Sequence, residues 1–329
     1  MLRLLHDTHY DFIRWWRWAA GLTIAFIILG IGSLAIKGVN YSIEFTGGTL
    51  MQLEFAKPID VGELRGSLDA AGIKGTEIQQ FGSNREFTIR TQEAEKANAA
   101  TSGAETVAKQ IQNLLVQKYG PSNVHVIRTE AVGAKVGDEL QRDAVIAMLL
   151  SFLVTTIYLA IRFEWRFAVA ALIATGHDVF TTLAFIKLLH LEVSLTVVAA
   201  ILTVIGYSLN DTIIIFDRVR ENLRKQRKES LYDTLNRSIN ETLPRSVLTH
   251  ATTLAATLAL LIFAGEVIRP FAWVMAFGIF TGTFSSIYVA SPVLLWVERK
   301  WPRRTTAFQT SSTATRTSPT RRSPATATR

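Results

Sequence analysis

Six stretches of about twenty residues, each nearly free of charge, set the terms for this chain: 16–36, 143–163, 167–189, 193–216, 243–264 and 271–297. A helix rises about 1.5 Å per residue and the hydrocarbon core of a bilayer is about 30 Å thick, so runs of this length match spanning helices. Backbone polar groups inside lipid must be satisfied within the chain, and a helix does this segment by segment. With 49% hydrophobic residues in 329 and a mean hydropathy of +0.23, the composition departs from that of ordinary soluble domains. The expected fold class is an α-helical polytopic membrane protein with six transmembrane helices. The first run has Arg3, Arg14 and Arg17 around its start and a small-residue Ser33-Leu34-Ala35 near its end, as a signal peptide would. Its length and the long polar leader favour an uncleaved helix.

Orientation follows from short flanks rich in Lys and Arg, which remain inside. Arg218, Arg220, Arg224, Lys225, Arg227, Lys228 and Arg237 crowd the stretch 217–243, and Arg162 and Arg166 flank the turn between the second and third helices. The opposite short loops, 187–192 and 265–270, carry only Lys187 and Arg269. Both termini are expected in the cytoplasm. The expected organisation is a cytoplasmic N-terminus 1–15, a first helix 16–37, a periplasmic domain 38–140, and a helix bundle 141–298 with a cytoplasmic loop 217–242. A basic cytoplasmic tail, 299–329, completes it. From 303 onward the tail has no acidic residue and is rich in Ser, Thr, Pro and Ala, a composition of disordered segments that at most touch anionic lipid.

Topology thus accounts for the net charge of +8, and no nucleic-acid motif accompanies it. Cysteine is absent, which excludes disulfides and thiolate metal sites. No Gly-rich phosphate loop, metal-spaced His and carboxylate cluster or nucleophile elbow is visible. The expectation is a non-enzymatic chain with no cofactor and no bound metal.

The exported segment is too polar to span and too patterned for a linker. Residues 49–55 alternate as a half-buried strand, 61–71 read as a short helix ended by Gly72, and 77–81 and 86–91 form two strands joined by the turn 82–85. A helix over 97–119, stopped by Gly120-Pro121, and a strand over 123–129 complete the order strand, helix, strand, strand, helix, strand. That order predicts a ferredoxin-like α+β domain, which by itself identifies no function.

Ionisable side chains inside the spans carry the functional argument, because each costs roughly 2.5–3.5 kcal/mol at mid-bilayer. In the fourth helix Asn210 and Asp211 are embedded in the run Val204-Ile205-Gly206-Tyr207-Ser208-Leu209-Asn210-Asp211-Thr212, with Tyr207 and Ser208 on the face of Asp211. Asp211 is either a carboxylate that gains and loses a proton or a static packing contact near the end of its span. The fifth helix is expected to carry Pro244 in its first turn, then Arg245, then a small polar stripe of Thr249, Thr252, Thr253 and Ala256. Arg245 enters at the depth of Asp211 and suits a fixed positive partner, since arginine does not release its proton; the alternative is an arginine that snorkels to the interface. His177-Asp178 lies mid-span in the third helix. Asp178 belongs either to a proton or water path or to a structural contact between helices, and His177 reads as a satisfied interior histidine.

Ile43-Glu44-Phe45-Thr46-Gly47-Gly48-Thr49 resembles the Phe-Thr-Gly-Gly signature shared by SecD and SecF. Gly176-His177-Asp178-Val179, the Asn210-Asp211 run with Asp217-Arg218-Val219-Arg220-Glu221-Asn222, and Ser285-Ser286-Ile287-Tyr288-Val289-Ala290-Ser291 are similar to the SecF family, relatives of resistance-nodulation-division transporters. The resemblance covers about 14–298. It implies an auxiliary subunit of the Sec protein-export machinery, working with SecD beside SecYEG, with YajC as a further candidate partner. Such a subunit uses the proton-motive force to promote late translocation of unfolded preproteins. It also places the proton-coupling aspartate at Asp211 and its arginine at Arg245, with Asp178, Asn210, Thr249 and Thr252 as supporting residues. Glu44 departs from the aspartate usual before that signature. The rival classes are half of a small-molecule or lipid exporter and an uncoupled scaffold of the translocon.

Overall fold

The computed structural model describes residues 8–73, 75–80, 83–91, 102–226, 229–265 and 267–302. Readings that fall on Arg3, Phe81, Gly82, 97–101, Arg227, Lys228 and 303–329 lie outside the described residues. The helical elements include six spans long and apolar enough to cross a membrane.

The first, α1 (Trp16–Lys37), follows a 3-10 turn at Ile13–Trp15. Then come a single helical turn α2 (Ile43–Thr46), strand β1 (Gly48–Phe55), helix α3 (Val61–Ala70), strands β2 (Glu77–Gln80) and β3 (Glu86–Thr91), helix α4 (Ser102–Tyr119) and strand β4 (Val124–Val132). Their sheet is antiparallel with the order β2-β3-β1-β4, the split arrangement of a ferredoxin-like domain. Alternate positions turn one face inward, so Met51, Leu53, Phe55, Phe87 and Ile89 meet Leu64, Leu68, Ile111 and Leu115 of the two helices in a closed core. Asp60 caps α3 by accepting from the backbone N–H of Gly62 and Glu63 at 2.8 and 3.2 Å.

The remaining helices are α5 (Ala134–Arg162), α6 (Trp165–Leu188), α7 (Leu195–Lys225), α8 (Leu231–Phe263), α9 (Arg269–Ser285) and α10 (Ser291–Lys300), the last two joined by a π-helical turn at Ser286–Ala290. Burial concentrates on α6, α7 and α9, while α1, α5 and α8 are mostly exposed. Gly278 and Gly282, one turn apart, let α9 approach α7: a methyl group on Gly278 would stand 2.1 Å from Val204 Cγ2, and one on Gly282 would stand 3.0 Å from Ser208 Cβ. The buried residue of α1 is Gly30, where a methyl group would meet Ala184 Cβ of α6 at 2.1 Å.

Several helices run well past their apolar windows. The α7 helix continues through 217–225, and α8 starts at Leu231, so most of the stretch read as a loop is helical. Pro244 therefore lies inside α8 and not in its first turn, which corrects the sequence expectation. The extensions are polar and register weakly in hydropathy; ion pairs hold them, with Arg218 Nε 2.6 Å from Glu241 Oε2 and Arg237 Nη2 2.6 Å from Glu229 Oε2, and Asn222 Nδ2 donates a hydrogen bond to Glu241 Oε2 at 2.8 Å. The N-terminal segment is strapped along α8: Asn240 exchanges two hydrogen bonds with the Tyr10 backbone (2.9 and 2.8 Å), and Tyr232 donates to Asp11 Oδ1 (2.6 Å).

The domain and the bundle meet at the two glycines after α2. Gly47 adopts φ 70°, ψ 172°, a region open essentially to glycine. A methyl group there would lie 2.7 Å from Ala134 Cα at the head of α5. Glu44 Oε2 accepts from the Leu195 N–H at 2.6 Å, so a carboxylate caps the N-terminus of α7, where the helix dipole favours it. The Ser42 N–H donates to Val193 O at 2.9 Å and the Val193 N–H to Asn40 O at 2.7 Å. The Glu44 carboxylate thus ties the domain's root to α7.

Candidate functional site

Helix α7 carries polar residues on two faces, and each face meets a different neighbour. Ser208 and Thr212 turn toward α6 and the α9–α10 junction, whereas Tyr207 and Asp211 turn toward α8. Asp178, fully buried on α6, accepts through Oδ2 from the hydroxyl of Ser208 and from Ser285 Oγ at 2.7 Å. Its Oδ1 pairs with His177 Nδ1 at 3.0 Å. The neighbouring Thr212 and Ser286 hydroxyls bond each other at 2.8 Å. The π-helical turn supplies this geometry: by widening the helix just after Ser285 it presents Ser285 and Ser286 to α6 and α7, and Ser291 Oγ bonds back to the Ser286 carbonyl at 3.1 Å. Asp178 therefore links three helices through hydroxyl side chains, not through backbone groups.

Asp211, 2% exposed, accepts through Oδ1 from Ser246 Oγ of α8 at 2.5 Å. Its Oδ2 is buried and has no hydrogen-bond partner among the described residues. An unsatisfied carboxyl oxygen in such a place costs about 1–3 kcal/mol or more unless a proton, water or moving group meets it. Tyr207 Oη donates to the Thr249 carbonyl (3.2 Å) or Thr253 Oγ1 (3.1 Å), and its ring stands edge-on to His250 with centroids 5.4 Å apart. His250 Nδ1 is 3.0 Å from Thr283 Oγ1 of α9.

The structure brings Asp211 to α8 but not to Arg245, which is exposed and makes no ion pair among the described residues. Depth was the right criterion for choosing the helix, but adjacent residues on a helix point about 100° apart, so Ser246 takes the place next to the carboxylate. Asn210 is exposed, and Thr252 is exposed with its hydroxyl bonded to carbonyls of its own helix. Thr249 is half-buried and contributes its carbonyl. Sequence reasoning passed over Ser246 and His250. The available signal was a polar row along α8 at three- and four-residue spacing, namely Ser238, Thr242, Ser246, His250, Thr253 and Thr257.

Two family models match the chain: "Protein export membrane protein SecD/SecF, C-terminal" over residues 111–300 and "SecD/SecF GG Motif" over residues 32–59. The protein translocase subunit SecF of Gemmatimonas aurantiaca is 64% identical over 305 residues, covering 92% of this chain and 91% of that one. That of Escherichia coli O157:H7 is 38% identical over 286 residues, 87% of each. Among solved structures, the translocon-associated membrane protein SecDF of Thermus thermophilus matches with a TM-score of 0.78 and 36% identity, over 91% of this chain and 40% of that one. A SecDF in a super-membrane-facing form matches with a TM-score of 0.64 over 90% and 40%. Six spans, a ferredoxin-like domain rooted at the paired glycines and this run of matches have one reading: the chain is a multi-pass membrane protein of the SecF family of protein translocase subunits.

Proposed function

We propose that this chain pairs with a SecD half, beside the SecYEG channel, and converts the proton-motive force into late-stage movement of unfolded preproteins across the bacterial inner membrane. The observation that carries the reading is Asp211, a carboxyl group buried between two spanning helices with one oxygen held by Ser246 and the other unmet. A static contact would be expected to satisfy both oxygens. The match to a chain named SecDF, of which this one spans 40%, supports the SecD pairing.

In this mechanism both termini are cytoplasmic and the ferredoxin-like domain is periplasmic. Asp211 takes a proton from the outer side, loosens its hold on α8, and lets α7 shift. Arg245 is the fixed cation that the released carboxylate meets as the helices repack. Asp178 keeps α6, α7 and α9 in register meanwhile, and Glu44 at the head of α7 passes the shift to the root of the domain. One proton crossing about 100 mV supplies roughly 2.3 kcal/mol, whereas a 1:99 to 99:1 switch needs about 5.5, so more than one proton or the SecD half contributes.

The test is export of a secreted reporter into sealed inner-membrane vesicles under an imposed proton gradient, at equal membrane abundance and equal SecD assembly. Asp211→Asn and Arg245→Met are expected to lose the gradient-dependent part. Unchanged export in both would make the chain a scaffold.

A further inference from the structure

This inference rests on the reading of Asp211 as the proton carrier. A carrier must exchange its proton with a neighbour, and Arg245 neither accepts nor releases one. His250 stands one turn beyond Ser246 on α8, whose hydroxyl already holds Asp211 Oδ1. The ring is oriented from the far side, with Thr283 Oγ1 3.0 Å from both the Ile279 carbonyl and His250 Nδ1. When the hydroxyl proton goes to the carbonyl, Nδ1 donates to Oγ1 and Nε2 is the nitrogen with the free lone pair. The ring meets Tyr207 from α7 and the Thr283 hydroxyl from α9, and Asp211 lies one turn along α7 from Tyr207 against Ser246; Arg245 on its own helix is exposed.

We propose that His250 is the base with which Asp211 exchanges its proton. The Oδ2–H bond of the carboxylic acid breaks, an N–H bond forms at Nε2, and a neutral pair becomes a carboxylate and an imidazolium; the reverse transfer restores it. The net charge of the pair is zero in both states, so the exchange places no uncompensated charge in the bilayer. The two side chains are not hydrogen-bonded in this structure, so the transfer accompanies a rotation that brings Nε2 to Oδ2, the oxygen left without a partner among the described residues. Unlike arginine, the imidazolium then hands the proton on, which makes His250 a link in the path and not only a counter-ion.

The test is gradient-driven export in vesicles holding the full complex, as a function of pH, for wild type, His250→Gln, His250→Ser and Asp211→Asn. Loss of the imidazole is expected to lower the gradient-dependent rate about tenfold or more and to remove one limb of the pH profile. If Asp211→Asn loses coupling while both His250 variants keep the wild-type rate and profile, the exchange is refuted and the carrier reading survives. If Asp211→Asn retains coupling, the carrier reading itself fails. Should the His250 variants assemble poorly, infrared difference titration of the wild-type complex decides. Loss of the Asp211 carboxylic-acid band in step with gain of an imidazolium band supports the exchange. A carboxylate forming beside a neutral imidazole overturns it.

Discussion

Replacing Gly278 by alanine probes how far the bundle depends on close approach of α7 and α9. The added methyl group would lie 2.1 Å from Val204 Cγ2, 2.7 Å from Cγ1 and 3.0 Å from Cβ. A β-branched side chain in a helix has essentially one rotamer, so Val204, 3% exposed, cannot swing away. The helices must separate instead, and overpacking of this kind costs about 1–3 kcal/mol. The separation falls one turn from Gly282 and Ser208, so it also strains the bonds that Ser208 and Ser285 make to Asp178. The assay is the unfolding midpoint of the purified full chain in a mild detergent, alongside Val204→Ala and the double variant. Gly278→Ala is expected to lower the midpoint, and Val204→Ala, by removing both γ carbons, to recover much of the loss, giving a coupling of about 0.5–3 kcal/mol. Independent, additive effects would refute the argument that these two positions set the helix spacing.

Other outcomes follow from the junction and the strap. Gly47→Ala forces a side chain into a backbone region that costs about 1–3 kcal/mol and against Ala134, so limited proteolysis is expected to cut between the domain and α5 faster than in the wild type. Asp11 is held below the ordinary carboxyl value of 3.8, chiefly by the Tyr232 hydroxyl, then by the Arg14 backbone and Asn236. A group depressed on folding contributes stability above its unfolded value and loses it as pH falls through the folded value. Hydrogen exchange of the Ile13 amide, bonded to Asn236 Oδ1 at 3.1 Å, is therefore expected to stay protected at neutral pH and to lose protection on acidification below 3.8. Asp11→Asn should flatten that dependence.

The six spans were legible because hydropathy over about twenty residues measures what the bilayer selects, and the domain because Met51, Leu53 and Phe55 alternate with polar neighbours. The long polar ends of α7 and α8 were not, since Arg218, Asn222 and Glu241 are held by partners distant in sequence. Pro244 misled for the same reason: a proline beside an apolar run suggests a helix start unless the polar turns before it are known to be helical. Asp178 and Asp211 stood out by composition alone, as charges in apolar runs. Their partners did not, because Ser208, Ser246 and Ser285 are ordinary residues in spanning helices and acquire meaning only through the facing surfaces. The π-helical turn that aligns Ser285 and Ser286 leaves no composition signal.

The uneven burial of the spans has a consequence for how such a chain is made. The α6, α7 and α9 helices hold one another through small-residue contacts and a shared carboxyl group, whereas α1 is anchored by Gly30 and α5 and α8 show most of their length to the surroundings. Each helix enters lipid on its own hydrophobicity, and association comes afterwards. The ribosome delivers α1 and α5 before the trio that will organise them exists, so these two must persist as solitary inserted helices for much of synthesis. That asks of them a high apolarity not demanded of α6, α7 or α9, and their windows are the two most hydrophobic of the six, at 2.3 and 2.4 against 1.4–1.7.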